Sequence, residues 1–194
     1  EHMNRRNIRV EKYSYKQSST VYHAALKGKW ENFDPYTSTL IFLAGITDTL
    51  ARNIIPALQE GKTVLMDRYV YTLLVRARAR NVSRQFLQVL DSLREPDLII
   101  YMDIDEQEAI KRKGLVSDEQ VSYWEAGCDL ELSASKTENW SLYQRIIRNE
   151  YMELFREQPN CVQIDSSADR DTVHERICAA IRESISGLFD CSSV

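Results

Sequence analysis

Two short runs constrain the fold of this chain more than any other feature. Thr63–Asp67 (TVLMD) and Leu98–Ile104 (LIIYMDI) are almost continuously apolar, and each carries an aspartate at or near its end. A strand with one wet face alternates apolar and polar residues, whereas a strand covered on both faces does not. Both runs therefore read as covered strands. The stretch between them has helical periodicity and is long enough for the crossover that parallel strands require. Ile8–Tyr15 and Cys161–Asp165 read as two further strands.

Helical patterns fill the intervals. Asp34-Pro35 reads as an N-cap followed by proline in the first turn, with apolar residues continuing through Leu40, Leu43, Leu50 and Ile54. Gly61 suits the position just past a helix end. Phe86, Leu90 and Leu93 share a face of a helix that stops before Pro96. Trp140, Tyr143, Ile147, Tyr151 and Leu154 form one stripe; Val173, Ile177, Ile181 and Ile185 form the last, with Ser166 or Ser167 as its cap. These stripes read as core packing rather than as a cofactor site. Strands alternating with helices predict an α/β fold, a parallel sheet flanked by helices. No repeat or low-complexity linker interrupts residues 1–194, so a single domain is expected.

Composition narrows the function. A net charge of -4 argues against a general nucleic-acid binder. The sequence shows no apolar stretch read as bilayer-spanning and no charged-then-apolar leader. Cys128, Cys161, Cys178 and Cys191 share no metal-binding spacing, and a chain of 194 residues needs no disulfide staples. Reduced thiols and a cytoplasmic location are expected. His2, His23 and His174 are scattered, which disfavours a histidine metal site.

Ligands of open parallel sheets bind at the carboxyl ends of the strands. Asp67 there would hold magnesium beside a phosphate, and Arg68 would fork onto phosphate oxygens, a pairing suited to phosphoryl transfer. Equally, Asp67 would cap the next helix and Arg68 would be a solvated charge. Arg76 and Arg80 share a helix face and would clamp an anion, with Arg78 pointing away; an exposed basic face is the alternative. Asp103 repeats the strand-end carboxylate, while Asp105 reads as a helix cap.

The order of these segments resembles the thymidylate kinase family of P-loop nucleoside monophosphate kinases. "IIPALQEGKTVLMDRYVYT" is similar to its helix, strand and Asp-Arg-Tyr signature. "PDLIIYMDIDEQEAIKRK" resembles the next strand and the helix entering the lid. "YWEAGCDLELS" with "WSLYQRIIRNEYMEL" resembles the passage out of the lid, and "VQIDSSADRDTVHERI" the last strand and helix. The resemblance runs from about Arg5 to Leu188. It implies a three-layer parallel sheet of P-loop NTPase type, with a lid over roughly residues 112–133. It implies transfer of the ATP γ-phosphoryl group to a nucleoside monophosphate, dTMP first, with magnesium. Asp67 would then serve the metal and acceptor phosphate, Arg68 would hold phosphate, and Tyr69 would support the nucleotide pocket. Arg76 and Arg80 match arginines of one family branch, and Arg112 matches a catalytic arginine at the start of the lid. Ser166 and Ser167 would lie near the adenine.

Several positions depart from the family pattern. The sequence has 6 glycines and no G-x-x-x-x-G-K-[ST] loop. "EHMNRRN" resembles the end of the helix that normally follows that loop, so the natural chain is expected to be longer. The alternative is a cloning scar at His2-Met3, with Met3 a genuine start. Ile46 or Thr49 stands where the family has an arginine, and Arg52, one turn away, is a candidate substitute that would bind substrate. Leu73, Val75 and Arg76 stand where a base contact is common. Asp118 and Glu119 stand in the lid, where they would repel ATP phosphates unless they face solvent. A non-catalytic relative that binds nucleotide or protein, and a kinase for another acceptor, are the competing readings. The apolar helix around Leu40–Ile46 is a candidate homodimer surface, with core burial as the alternative.

Overall fold

Thr63–Asp67 is a strand over the residues expected from sequence, and it pairs in parallel with Val10–Ser14. We label these β2 and β1. The register sets Val10 beside Thr63 and Ser14 beside Asp67. A second parallel pair joins β3 (Ile99–Asp103) to β4 (Cys161–Asp165), with Asp103 beside Asp165. The computed structural model describes residues 9–14, 19–115, 117–156 and 158–189. Ile8, Tyr15, Cys191 and the EHMNRRN segment lie outside them, as does the side chain of Ile185. The chain divides into two compact units between Leu93 and Arg94. It is α/β with parallel strands in each. Coverage of the strands is less complete than their apolar runs suggest: Leu65 of β2 and Met102 of β3 are each about half exposed among the described residues.

In the first unit, α1 (Ser19–Trp30) and α2 (Pro35–Thr49) precede β2. The Asp34 carboxylate accepts from the amides of Tyr36 at 2.9 Å and Thr37 at 3.1 Å, and Pro35 occupies the first turn. The helix then widens to a π turn over Leu50–Ile54, continues as α3 (Ile55–Gln59), and ends before Gly61 at φ +72°. Pro56 gives a physical reason for the wide turn. It has no N–H, and its ring would strike the carbonyl four residues back in a regular helix. Pro35–Gln59 is long and apolar enough to cross a membrane by length and composition, contrary to the expectation from sequence. Its apolar face is however packed inside this unit: Leu43, Ile46, Leu50 and Ile54 form the core with Val70, Leu73 and Leu87.

Helix α4 (Val70–Arg78) follows β2. The expected helix through Phe86–Leu93 is one short turn, α5 (Arg84–Leu87), capped by Ser83 and tightening into a 3-10 stretch over Gln88–Ser92.

In the second unit, α6 (Glu106–Lys113) follows β3 and starts on the Asp105 carboxylate, which accepts from the Glu108 amide at 2.8 Å. Helices α7 (Lys136–Phe155) and α8 (Arg170–Phe189) flank β4 in sequence. Alternation along β3 turns Tyr101 to one face and Ile100 to the other. Tyr151 and Phe155 of α7 pack on Tyr101, at centroid distances of 5.1 and 5.5 Å. Ile100 packs with Ile164 of β4 and with Val173 and Ile177 of α8. The cap of α8 is Asp169, not Ser166 or Ser167: its carboxylate accepts from the Asp171 and Thr172 amides, both at 3.0 Å. Aspartate immediately before the first turn is better placed than serines two and three residues further back.

Candidate active site

Asp67 and Arg68 stand at the carboxyl end of β2, and both are exposed. Tyr69 occupies the N-cap position of α4, with no side-chain cap bond there. Asp67 therefore does not serve as the cap that its residue type allowed. Arg68 adopts φ +61°, the left-handed region that a residue with a Cβ enters only when its surroundings impose it. Such a conformation costs on the order of 1 kcal/mol and is typical of positions selected for something other than stability. Arg68→Gly is expected to keep or raise Tm, because glycine adopts this backbone without strain. Calorimetry checks this.

The following helix places its residues unevenly. Leu73 and Val75 are 8% and 0% exposed and belong to the core, so neither lines a base pocket. Arg76 and Arg78 are half-buried rather than spread over an exposed face. Arg80 lies beyond the end of α4, where its Nη1 donates to the Arg76 carbonyl at 3.2 Å. Ile46 and Thr49 are buried, and the Thr49 hydroxyl donates to the Gly45 carbonyl. Arg52 does not share their face. Its side chain is 79% exposed and pairs with Asp48 at 2.6 Å.

The second unit gathers its polar groups at the ends of β3 and β4. The Asp103 carboxylate is gripped by Arg148 of α7 through two bonds, Nε at 2.7 Å and Nη2 at 2.8 Å. Gln163 adds a third donor at 3.0 Å. The Arg148 guanidinium holds Asp103 below the usual carboxylate range, against the opposing effect of burial. Asp103 is thus structural, a tie between β3, β4 and α7. Its main-chain oxygen accepts from both the amide and the hydroxyl of Ser166, at 2.8 and 2.7 Å. Ser167 turns back onto Asp165, donating from its amide at 2.9 Å and its hydroxyl at 2.6 Å. Arg112, near the end of α6, donates to the carbonyls of Ser166, Ser167 and Ala168. A cavity of about 580 Å³ opens beside this loop, with Met102, Val173 and His174 among its lining.

The segment around residues 112–133 is packed rather than open. Val121, Ala126 and Trp140 form a small core with Ile110 and Leu115. The Trp140 indole is buried, and its N–H has no partner among the described residues. Asn139 bridges the Ser133 amide and the Ala126 carbonyl. Gly127 sits at φ +63° with its Cα hydrogen face against the Tyr143 ring.

Asp118 has a task inside the protein. Its carboxylate accepts from the amides of Lys136 and Thr137, both at 2.9 Å, and from the hydroxyls of Ser135 and Thr137. It caps α7 from a distant part of the chain, and the helix amides meet its charge. Those amides, Thr137 first, push its carboxyl far below the ordinary range. A depressed folded-state value means stability present above the unfolded value, about 3.9, and lost as pH falls below it. Asp118→Ala is therefore expected to lower Tm at pH 7, and the gap to the parent should close in strong acid. A pH series of thermal melts checks this; a gap that persists unchanged at low pH refutes it.

Sequence reasoning missed Arg148, Gln163 and the Asp118 cap. Arg148 lies beside the apolar stripe of α7 rather than on it, so the pattern gave no sign of it. A magnesium ion is compatible with the residues at the end of β2. No cluster of three His, Cys, Asp or Glu exists among the described residues. Magnesium needs none, since one or two carboxylates with waters and phosphate oxygens ordinarily hold it.

Comparison with known proteins supplies the context for these residues. The family model described as thymidylate kinase matches residues 19–177. Thymidylate kinase of Chlorobium chlorochromatii is 27% identical over 163 residues, covering 78% of this chain and 69% of the relative. That of Mycoplasmoides gallisepticum is 32% identical over 155 residues, covering 77% and 67%. A probable thymidylate kinase of Pyrococcus abyssi is 30% identical over 153 residues, covering 77% and 66%. The match takes in the Asp67-Arg68-Tyr69 strand end, residues 112–133 and the Ser166 loop together, and on that extent the chain belongs to the thymidylate kinase family.

Proposed function

We infer that the protein transfers the γ-phosphoryl group of ATP to dTMP, giving dTDP and ADP. The observation that carries this is the family match over residues 19–177, which spans both units. The exposed acid-base pair at the carboxyl end of β2 supports it, because parallel sheets present ligands there.

In this reading the Asp67 carboxylate faces the acceptor phosphate and is the residue that would hold magnesium. When bound, the ion neutralises and orients phosphate oxygens. Arg68 donates to the transferring phosphate, whose charge spreads over several oxygens during transfer. Its left-handed backbone sets where the Cα–Cβ bond points. Tyr69, Arg76 and Arg80 line the acceptor side, and Ser166 and Ser167 lie by the adenine. Leu73 and Val75 are buried in the core, which leaves Arg76 of those three positions to face a base.

The finer architecture is part of the same proposal: a three-layer parallel sheet of P-loop type in one kinase domain, with a lid around residues 112–133. Helices on both faces of β3–β4 support it. So is a cytoplasmic location, in keeping with free thiols at Cys128, Cys161 and Cys178. A homodimer through α2 is supported by Leu40, 48% exposed, and a monomer mass in light scattering would reject it.

The deciding experiment is a coupled assay of ADP release by the full-length protein with magnesium and a panel of monophosphate acceptors. We expect release stimulated most by dTMP. Turnover with a different acceptor would move the substrate assignment. No stimulation by any acceptor would overturn the kinase reading in favour of a non-catalytic binder.

A further inference from the structure

The family resemblance makes Arg112 a catalytic arginine, which in phosphoryl transfer would mean a contact with phosphate. Its surroundings in the structure assign it another task. A guanidinium carries five N–H donors and no acceptor. Arg112 donates Nε to Glu108 at 3.1 Å, Nη1 to the Ser166 carbonyl at 2.7 Å, and Nη2 to the Ser167 and Ala168 carbonyls at 2.6 and 2.7 Å. Four of the five donors are engaged inside the protein, so no two-pronged grip on a phosphate remains.

The loop end of these bonds is equally telling. Three consecutive carbonyls aimed at one point repel each other unless a cation sits between them. The opposite side of the loop is also fixed. Ser166 is 6% exposed, and both its amide and its hydroxyl donate to the Asp103 main-chain oxygen. Ser167 is tied to Asp165. The loop leads directly into the capped first turn of α8. Every backbone polar group of Ser166 and Ser167 is thus taken up, and the segment is held in one conformation.

We propose that Arg112 is a positioning residue: with Ser166 as buried anchor, it fixes the 166–168 loop as a preformed edge against which the donor nucleotide's base is selected. This rests on the reading that the loop lies beside the adenine of ATP. Preorganisation of this kind acts on donor binding and base choice rather than on charge at the reacting phosphate.

The test uses the full-length enzyme with Arg112→Lys, Arg112→Met, Ser166→Ala and the Arg112→Met/Ser166→Ala pair. Steady-state kinetics are measured with ATP and GTP as donors, beside amide hydrogen exchange. The expected result is a rise in KM for ATP of about tenfold in Arg112→Met, with the preference for ATP over GTP reduced. Arg112→Lys should not rescue, because an ammonium keeps the charge but not the planar fork. The pair should be no more than about twofold worse than the worse single variant, since both act through one loop. Exchange should quicken across residues 165–169 and not in α2. If Arg112→Met is too unstable to assay, Ser166→Ala is expected to show the same donor-specific pattern more weakly. A large fall in kcat with donor KM and base preference unmoved, or full rescue by lysine, would overturn the proposal and return Arg112 to the phosphate. A parent enzyme without dTMP-stimulated turnover would remove the functional reading, and this inference with it. Normal turnover in the parent, with the loop and donor preference intact in every variant, would remove this inference alone.

Discussion

Asp67→Ala in the full-length protein should lose about a hundredfold or more in kcat, with little change in Tm. The activity half follows from position. Asp67 closes a parallel strand at the end where such sheets bind ligands, and it is exposed. Removing one charge-stabilising group from a transfer site commonly costs about 10²–10³ in rate. The stability half follows from what Asp67 does not do. No side-chain cap bond starts α4, so truncation removes no helix cap. Asp67→Asn separates charge from shape: it keeps the size and loses the carboxylate, and should be nearly as inactive. Near-parental turnover in either variant would take Asp67 out of the mechanism.

The largest effect on stability is expected at Gly127. An added Cβ would stand 2.5 Å from the Tyr143 ring, far inside any real contact. Tyr143 is 2% exposed and has no room to retreat. The backbone there is also left-handed, at φ +63°. Strain of about 1 kcal/mol from the dihedral adds to overpacking of about 1–3 kcal/mol. Gly127→Ala should therefore lose about 3 kcal/mol in chemical denaturation. Gly61 is the internal control. It shares a positive φ, but an added methyl there would meet nothing within 4 Å, so Gly61→Ala should lose only the conformational part. Equal losses at the two sites would show that the Tyr143 contact is not the cause.

What the sequence revealed and what it concealed divide along a physical line. β2 and β3 could be located because a short apolar run bounded by polar residues leaves a local mark. The caps at Asp34 and Asp105 were legible because donor and acceptor lie within three residues. Asp118 is misread from sequence because its partners are 17–19 residues away, so the fold has to exist before its role can be seen. Arg148 and Asp103 are 45 residues apart, and their pairing leaves no local trace. The π turn is invisible for another reason: Pro56 announces a disturbance, but a kink, a break and a widened turn all satisfy it. Of the candidate site, the position of Asp67 and Arg68 at a strand end was readable. The backbone imposed on Arg68 was not, since nothing in its side chain asks for φ +61°.

The Trp140 indole gives the protein a built-in optical gauge. It is buried, its N–H bonds to nothing among the described residues, and the Lys113 ammonium stands 5.8 Å from its ring. A buried indole without a hydrogen-bond partner sits in a weakly polar setting, and a cation close by tunes its excited state. With Trp30 and Trp124 replaced by phenylalanine, its emission reads the packing around Trp140 with no dye attached. Nucleotide titrations followed through that emission would sense movement there as it happens.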